Sequence, residues 1–261
     1  TLTCTSSSLD TDFPVSKGDV IEIYNPADFS LYGEYTVENV NVSMLTYTIT
    51  LNKMIKENIE GYLVGNVTRT PSLVIENCIF RNKRNRGVLA QVRNSRITNC
   101  AFVNIIHGAI SVHTVQDIFS EAIMPRNIEI TNNKFLSNNE GYGLAGDVDV
   151  FVYGKSGVAS GVLKNVSVKN NLFFNGCQAG IRFQGAGDCT VSDNLFVDPN
   201  RKYSSDSYNT ILLLVYCDSI TVEGNTVYMD ERDGFELQKG KENKGITINN
   251  NVIKLKQEEN K

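Results

Sequence analysis

A seven-residue motif recurs along the last two-thirds of the chain and constrains the fold more than any other feature. In every copy the second residue is β-branched, the fifth is either Cys or Asn, and the seventh is apolar. Successive copies begin at least 22 residues apart, and the longer intervals vary. The seven copies are VIENCIF (74–80), RITNCAF (96–102), EITNNKF (129–135), SVKNNLF (167–173), TVSDNLF (190–196), TVEGNTV (221–227) and TINNNVI (247–253). A fixed minimum repeat with variable insertions is typical of a β-solenoid.

A right-handed parallel β-helix accounts for this pattern, because each turn places equivalent residues one strand spacing, roughly 4.8 Å, above one another. Side chains of one kind then stack in ladders, and inward Asn side chains can bond to the backbone and to each other. The 3.6-residue periodicity of helical repeats is absent. We therefore predict a β-helix of about seven turns over residues 71–256. The fifth-position ladder is Cys78, Cys100, Asn133, Asn171, Asn194, Asn225 and Asn251.

A further strand in each turn follows the motif, and in most turns it begins beside a glycine. Alternation directs Ile181 and Phe183 inward and Arg182 and Gln184 outward, and in the last strand it directs Glu236 and Gln238 outward. It sends Asp149, Phe151 and Tyr153 outward too. This sheet is therefore expected to carry polar side chains on an exposed outer face. The predicted strands are 87–93, 108–113, 147–153, 180–185, 210–216 and 234–238.

Residues 1–70 lack the motif and instead alternate strictly between apolar and polar residues in three segments, 18–25, 33–42 and 45–52. Such alternation, punctuated by Gly, Pro and Asn, predicts antiparallel strands of a small barrel or sandwich. Residues 257–261 form a polar tail. The whole chain is accordingly predicted to be all-β.

Composition argues against several classes of protein. A net charge of −4 without a basic stripe disfavours nucleic-acid binding, and the basic RNKRNRG segment (81–87) is interpreted as a loop. No apolar tract approaches the roughly 20 residues of a membrane span. Six cysteines without a CxxC pair and only two histidines predict no metal site and no cofactor. Cys78 and Cys100 are close enough in the ladder for a disulfide, but free thiols are favoured.

The first residue is Thr rather than Met, which we interpret as a sign of a processed or excised piece of a longer protein. No signal peptide is recognised, so the start of the chain does not indicate a location.

Two long insertions, 114–126 and 154–164, leave the same edge of the further sheet and are expected to form walls over its outer face. The polar residues that converge there include several carboxylates beside arginine and aromatic residues. Carboxylates suit acid–base chemistry on glycosidic bonds, and aromatic rings suit sugar faces, so carbohydrate is the expected partner. Each carboxylate considered alone is more often a solvated surface group, and Arg182 considered alone is more often part of a surface ion pair. The prediction of a site depends on the convergence of these residues at one place. The residues are Gln91, Arg93, His113, Asp117, Glu121, Asp147, Asp149, Tyr153, Arg182 and Gln184.

Two segments, GDVIEIYNPADFSLYGEYTV (18–37) and RTPSLVIENCIFRNKRNRGVLAQVR (69–93), resemble glycoside hydrolase family 110, the α-1,3-galactosidases that act on terminal α-galactose. The resemblance covers roughly residues 15–135 well. The later turns resemble the family only as a generic β-helix. It implies a small β domain beside a parallel β-helix, an inverting hydrolase that needs no metal, and paired catalytic carboxylates. It also implies a secreted, periplasmic or cell-surface protein.

The sequence departs from that family in the segment SVHTVQDIFSEAIMPRNIEI (111–130), where an aspartate-rich stretch is expected. Glu121 matches the family's glutamate, whereas the expected aspartates fall near Thr114 and Val115, about two residues from Asp117. Either Asp117 takes that role, or catalysis has moved to Asp147 and Asp149, or this chain is not a galactosidase.

The leading hypothesis is a glycosidase acting on terminal α-linked galactose or a related sugar. Its acid–base carboxylates would be Asp117, Glu121 and Asp149, with Asp147 as a further candidate. Its substrate-binding residues would be Gln91, Arg93, His113, Tyr153, Arg182 and Gln184. One alternative is a non-catalytic carbohydrate-binding β-helix of the adhesin or phage-tail type, and another is a polysaccharide lyase that uses Arg182. A homo-oligomer is compatible with each hypothesis.

Overall fold

A computed structural model describes residues 1–5, 15–44, 46–115, 123–141, 146–153, 158–201 and 209–256. These residues form 25 β-strands, and the chain divides into two compact units, Thr1–Pro71 and Ser72–Lys261. Among the described residues no helix is long and apolar enough to cross a membrane. The all-β prediction is confirmed.

The first unit is one antiparallel sheet whose five strands lie in the order first, fourth, third, second and fifth. Alternation builds its core, because Tyr47, Ile49 and Leu51 are buried on one face of a strand whose other residues are half-buried. Three of its strands correspond to the predicted segments, the third extending beyond 33–42 at both ends, and the first and last strands were not predicted. The strands are β1 (Leu2–Thr5), β2 (Val20–Tyr24), β3 (Leu31–Ser43), β4 (Thr46–Leu51) and β5 (Leu63–Asn66).

The second unit is a parallel β-helix with three sheets, and each complete turn contributes one strand to each sheet. The first sheet contains β6 (Val74–Glu76), β9 (Arg93–Thr98), β12 (Arg126–Thr131), β15 (Leu163–Lys169), β18 (Ala186–Ser192), β21 (Asp218–Glu223) and β24 (Lys244–Asn249). The second contains β7 (Ile79–Lys83), β10 (Ala101–Ile105), β13 (Lys134–Leu136), β16 (Leu172–Phe174), β19 (Leu195–Val197), β22 (Thr226–Met229) and β25 (Val252–Leu255). The third contains β8 (Val88–Leu89), β11 (Ile110–Val115), β14 (Gly146–Tyr153), β17 (Ala179–Gln184), β20 (Thr210–Val215) and β23 (Glu236–Lys241). Turn 1 comprises β6–β8, and turn 7 comprises β24 and β25, as the sequence predicts.

The recurring motif is a strand, a tight corner and a second strand. The residue before each ladder position has a positive φ of 53–65°, a conformation that Asn and Gly tolerate better than other residues. In the pair Asn132–Asn133, the first residue therefore makes the corner and the second turns inward. The corner residues are Asn77, Asn99, Asn132, Asn170, Asp193, Gly224 and Asn250.

The predicted asparagine ladder is present from Asn133 to Asn251. From Asn133 to Asn225, each Nδ2 donates to the Oδ1 of the Asn in the next turn at 2.8–3.2 Å. Each Nδ2 also donates to a carbonyl of a preceding turn, as Asn194 does to Val168 at 2.9 Å. The ladder begins with Cys78 and Cys100, whose thiols are free. These bonds satisfy polar groups that would otherwise be costly to bury.

A second ladder consists of phenylalanine rings that stack along the core. The centroids of Phe80, Phe102, Phe135, Phe173 and Phe196 are 4.6–5.2 Å apart in succession. Glycines beside the third sheet make room for these rings, since a Cβ on Gly180 would lie 2.6 Å from Cε1 of Phe196. A packing requirement thus explains why glycine accompanies these strands.

Two predictions for the third sheet are wrong, one in the bounds of a strand and one in the register of a strand. The segment 87–93 contains only the two-residue strand β8, and Arg93 instead begins β9 in the first sheet. In the last strand, Gln238 pairs with the core residue Leu212, and Lys239 pairs with Leu213. A shift of one residue exchanges the two faces of a strand, so Gln238 faces the core side rather than outward.

Candidate functional site

Six side chains form one continuous surface on the outer side of the third sheet, across turns 2–4. We call this surface the polar face: Ser111 and His113 on β11, Asp149 and Phe151 on β14, and Arg182 and Gln184 on β17. Parallel pairing aligns Ser111 with Asp149 and Arg182 in one row. It aligns His113 with Phe151 and Gln184 in the next row. The intervening residues Val148, Val150 and Phe183 are buried in the core on the opposite side.

An ion pair between neighbouring turns lies at the centre of the polar face. Arg182 donates from Nε to Oδ1 of Asp149 at 2.5 Å and from Nη2 to Oδ2 at 2.9 Å. The two side chains are only 12% and 6% exposed. Burial raises the pKa of Asp149, and the Arg182 guanidinium opposes that rise. Such bidentate geometry fixes the guanidinium plane, and it engages both oxygens of Asp149.

The Phe151 ring packs against the Arg182 guanidinium and against the His113 ring. The His113 ring stacks on Phe151 with centroids 4.4 Å apart, and the Arg182 guanidinium carbon lies 4.7 Å from the Phe151 centroid. These groups come from the turns on either side of β14, so the faces of the Phe151 ring are occupied by protein. Phe151 therefore supports His113 and Arg182, and its ring faces are not open for a sugar to stack on.

Asp147 lies on the same strand but in a different environment. Its side chain is buried, and neither carboxyl oxygen has a hydrogen-bond partner among the described residues. Burial raises its pKa to about 8, although the charge of Arg201 opposes that rise. Asp147 is thus a carboxylic acid that keeps its proton at neutral pH, the state that a general acid requires.

The structure brings together His113, Asp149, Arg182 and Gln184, and it places Asp147 on the same strand as Asp149. The expectation of an exposed face is wrong for His113, Asp147 and Asp149, which are buried. Gln184 and Phe151 are half-buried and form its accessible part together with a fraction of Arg182.

The remaining candidates lie elsewhere or outside the described residues. Arg93 is buried at the start of β9, where its Nε donates to the carbonyl of Met124 at 3.0 Å, so it is not part of the polar face. Gln91 is half-buried after β8. Tyr153 ends β14 in register with Val115, and its side chain is not among those described. Asp117 and Glu121 lie outside the described residues.

Sequence reasoning missed Ser111 and a second cluster at the corner before β14 and β17. Ser111 could have been found, because it alternates with His113 on one strand. In the second cluster, Arg201 donates from Nη2 to Glu140 Oε1 and to Cys177 Sγ, both at 2.9 Å. No motif links these three residues, which are up to 61 positions apart in the chain.

The sequence matches the family described as "Right handed beta helix region" over residues 62–203, more than half of the chain. The chain belongs to this right-handed β-helix family. Residues 148–260 are also similar to the family described as "Periplasmic copper-binding protein (NosD)". The described residues of this β-helix contain no group of three or more His, Cys, Asp or Glu side chains that could hold a metal ion.

Two solved structures are similar to this β-helix protein at low identity. One is the Streptococcus pneumoniae surface protein and adhesin PfbA, with 16% identity, coverage of 69% of this chain and 64% of that chain, and a TM-score of 0.40. The other is the Pseudomonas phage phi297 tailspike gp61, with 13% identity, coverage of 98% and 55%, and a TM-score of 0.34. The chain thus spans less than two-thirds of the length of either protein, and neither likeness extends to activity. No curated protein matches the sequence.

Proposed function

We propose that this protein binds carbohydrate and that the glycan lies against the polar face. The fixed guanidinium of Arg182 is the observation that carries this proposal. An arginine has five N–H donors, and Asp149 accepts from two of them, so three remain for ligand oxygens. The neighbouring Gln184 amide is half-buried, and its Nε2 donates to the carbonyl of Val152 at 3.5 Å. One N–H donor and the Oε1 acceptor remain for sugar hydroxyls.

Pre-organisation favours binding at this surface. Asp149 and Phe151 restrain Arg182 before any ligand arrives, so little side-chain entropy is lost when a sugar binds. A site built on adjacent strands also keeps its geometry better than one built on loops. These features support a binding surface of the adhesin or phage-tail type without requiring a reaction.

Hydrolysis of a terminal α-linked galactose, or of a related sugar, is a second candidate function. The raised pKa of Asp147 favours it, since a protonated carboxyl could deliver a proton to the leaving oxygen. Asp149 is less suited to be the base, because both of its oxygens bind Arg182. An inverting mechanism of the family-110 type would then take its base from Asp117 or Glu121. The engagement of Arg182 with Asp149 also gives no support to a lyase.

A secreted, periplasmic or cell-surface location fits either function. The similarity of residues 148–260 to a family described as periplasmic supports this part of the proposal.

A glycan array tests the binding function, with the wild type and two variants applied at equal concentration. We expect the wild type to bind a defined subset of glycans and Gln184→Ala to lose about tenfold in affinity for them, the equivalent of one hydrogen bond or more. Lys241→Ala is the matched control, because Lys241 is exposed on the same sheet but beyond the polar face. Binding that is absent in the wild type, or equal in Gln184→Ala, would refute the proposal.

The same glycans test the second candidate function. Release of free sugar by the wild type, and its loss in Asp147→Asn, would support hydrolysis. Binding without release of any sugar would leave only the binding function.

A further inference from the structure

A basic segment lies next to the polar face and has no counterpart elsewhere in the described residues. Residues 81–86, RNKRNR, contain four cationic side chains and no carboxylate in a chain whose net charge is −4. Arg81 and Lys83 belong to β7, and Arg84 and Arg86 to the loop that leads into β8. Arg81, Lys83 and Arg84 are exposed, and Arg86 is half-buried. We call these four residues the basic corner.

Some surface cations in the described part of the chain have a carboxylate within ion-pair distance, and those of the basic corner do not. Within the described part of the chain, Arg96 pairs with Glu76 at 2.8 Å and Lys164 with Asp188 at 3.5 Å. No residue of the basic corner forms an ion pair among the described residues. Four positive charges within six residues, none of them in an ion pair with a described residue, create a local positive potential on an otherwise acidic protein.

The basic corner is continuous with the polar face. β8 follows it directly, and Leu89 on β8 pairs with Ser111, which pairs in turn with Asp149. The charge of Arg86 reaches Asp149 strongly enough to lower the pKa of that carboxyl, against the larger effect of burial.

We propose that the glycan bound by the polar face is anionic, with a carboxylate or sulfate group held by the basic corner. This inference rests on the proposed carbohydrate-binding function and names the class of glycan. Arginine guanidinium groups bind planar carboxylates and sulfate-like oxyanions through paired hydrogen bonds. From turn 1 to turn 4 the surface spans three strand spacings, roughly 14 Å, which suits a short oligosaccharide.

A nucleic acid is the other polyanion that such a corner could attract. Single-stranded nucleic acids usually need exposed aromatic rings for their bases to stack on. The ring faces of Phe151, the aromatic residue of the polar face nearest to Arg182, are occupied by His113 and Arg182. The surface therefore favours a sugar acid over a nucleic acid.

The test compares two oligosaccharides that differ only in one sulfate or carboxylate, by calorimetric titration at low and high salt. The variant Arg84→Gln/Arg86→Gln removes two charges from the basic corner. The control Lys241→Gln/Lys244→Gln removes two exposed charges from the last two turns. A single-stranded DNA of equal charge serves as a second ligand, and the melting temperature of each variant verifies its fold.

We expect the wild type and the control to prefer the acidic oligosaccharide by about tenfold or more at low salt, as one charge-assisted hydrogen bond would give. Arg84→Gln/Arg86→Gln should lose that preference and still bind the neutral oligosaccharide. Equal affinity of the wild type for both sugars would overturn the inference and leave the carbohydrate-binding function intact. The inference also fails if the control loses the preference equally or if the DNA binds as tightly as the acidic sugar. Failure of both sugars to bind would refute the carbohydrate-binding function itself.

Discussion

Arg182 and Asp149 face each other across adjacent turns of the β-helix and share two hydrogen bonds of 2.5 and 2.9 Å. Neither side chain could be placed there alone without cost, because a buried charge needs a partner. The pair therefore links two roles in one arrangement: it stabilises the stack of turns, and it aims a guanidinium at the half-buried edge of the polar face.

Breaking this pair should destabilise the fold. Removing one partner of a buried ion pair typically costs about 3–5 kcal/mol, because the other charge is left buried and unpaired. We expect a cost in this range for Arg182→Ala, measured by urea unfolding. Arg96→Ala is the matched control, since its ion pair with Glu76 is exposed and should be worth about 1 kcal/mol or less. Similar costs for the two variants would contradict the structural role of the Arg182–Asp149 pair.

Asp147 should make stability depend on pH. Its pKa is raised from 3.8 to about 8, so the native state retains a proton that the unfolded state releases. The stabilisation is therefore complete below pH 3.8 and is lost as pH rises towards 8, by at most ~1.4 kcal/mol per pH unit. Subtracting the stability profile of Asp147→Asn from that of the wild type cancels the contributions of other groups. Parallel profiles between pH 5 and 8 would show that Asp147 is ionised in the native protein.

Substitution of an asparagine of the ladder by alanine should destabilise the fold most at the centre of the ladder. Asn194 donates to Val168 and Asn225 and accepts from the backbone N–H of Asn171, all within 2.9–3.0 Å. Because Asn194→Ala leaves these buried groups unsatisfied, we expect it to lower the free energy of unfolding by about 3 kcal/mol.

Asn251→Ala is the control for the ladder. Asn251 occupies the last rung and is half-buried, so water can replace its bonds and the loss should be smaller. A larger loss at Asn251 than at Asn194 in guanidinium unfolding would argue against the ladder as a source of stability.

The glycines beside the third sheet provide a test of packing. A Cβ on Gly180 would lie 2.6 Å from the Phe196 ring, whereas the described atom nearest to a Cβ on Gly176, Asp147 Oδ2, would be 3.5 Å away. We expect Gly180→Ala to cost about 1–3 kcal/mol through overpacking and Gly176→Ala to cost clearly less. Thermal unfolding of the two variants compares them directly. Equal melting temperatures would mean that the phenylalanine ladder adjusts without cost.

The scaffold can be predicted from the sequence because every turn of the β-helix repeats the same motif. Asn132 and Asn133 are adjacent and alike, yet the position of the second in seven aligned copies shows that it is a ladder residue. The site is less predictable, since alternation shows which side of a sheet Asp149 faces and not whether that side is open to water. The raised pKa of Asp147 likewise depends on missing hydrogen bonds that no motif encodes. Arg93 and Gln238 were assigned to the wrong side because strand boundaries and register are set by neighbouring turns.

The most direct test of the central claim is an experimental structure of the protein with the tightest glycan from the array. The proposed function predicts that the sugar contacts Arg182 and Gln184, with its hydroxyls within hydrogen-bond distance of the guanidinium. A sugar bound to the antiparallel first unit, or to the first or second sheet without any contact to the polar face, would contradict it.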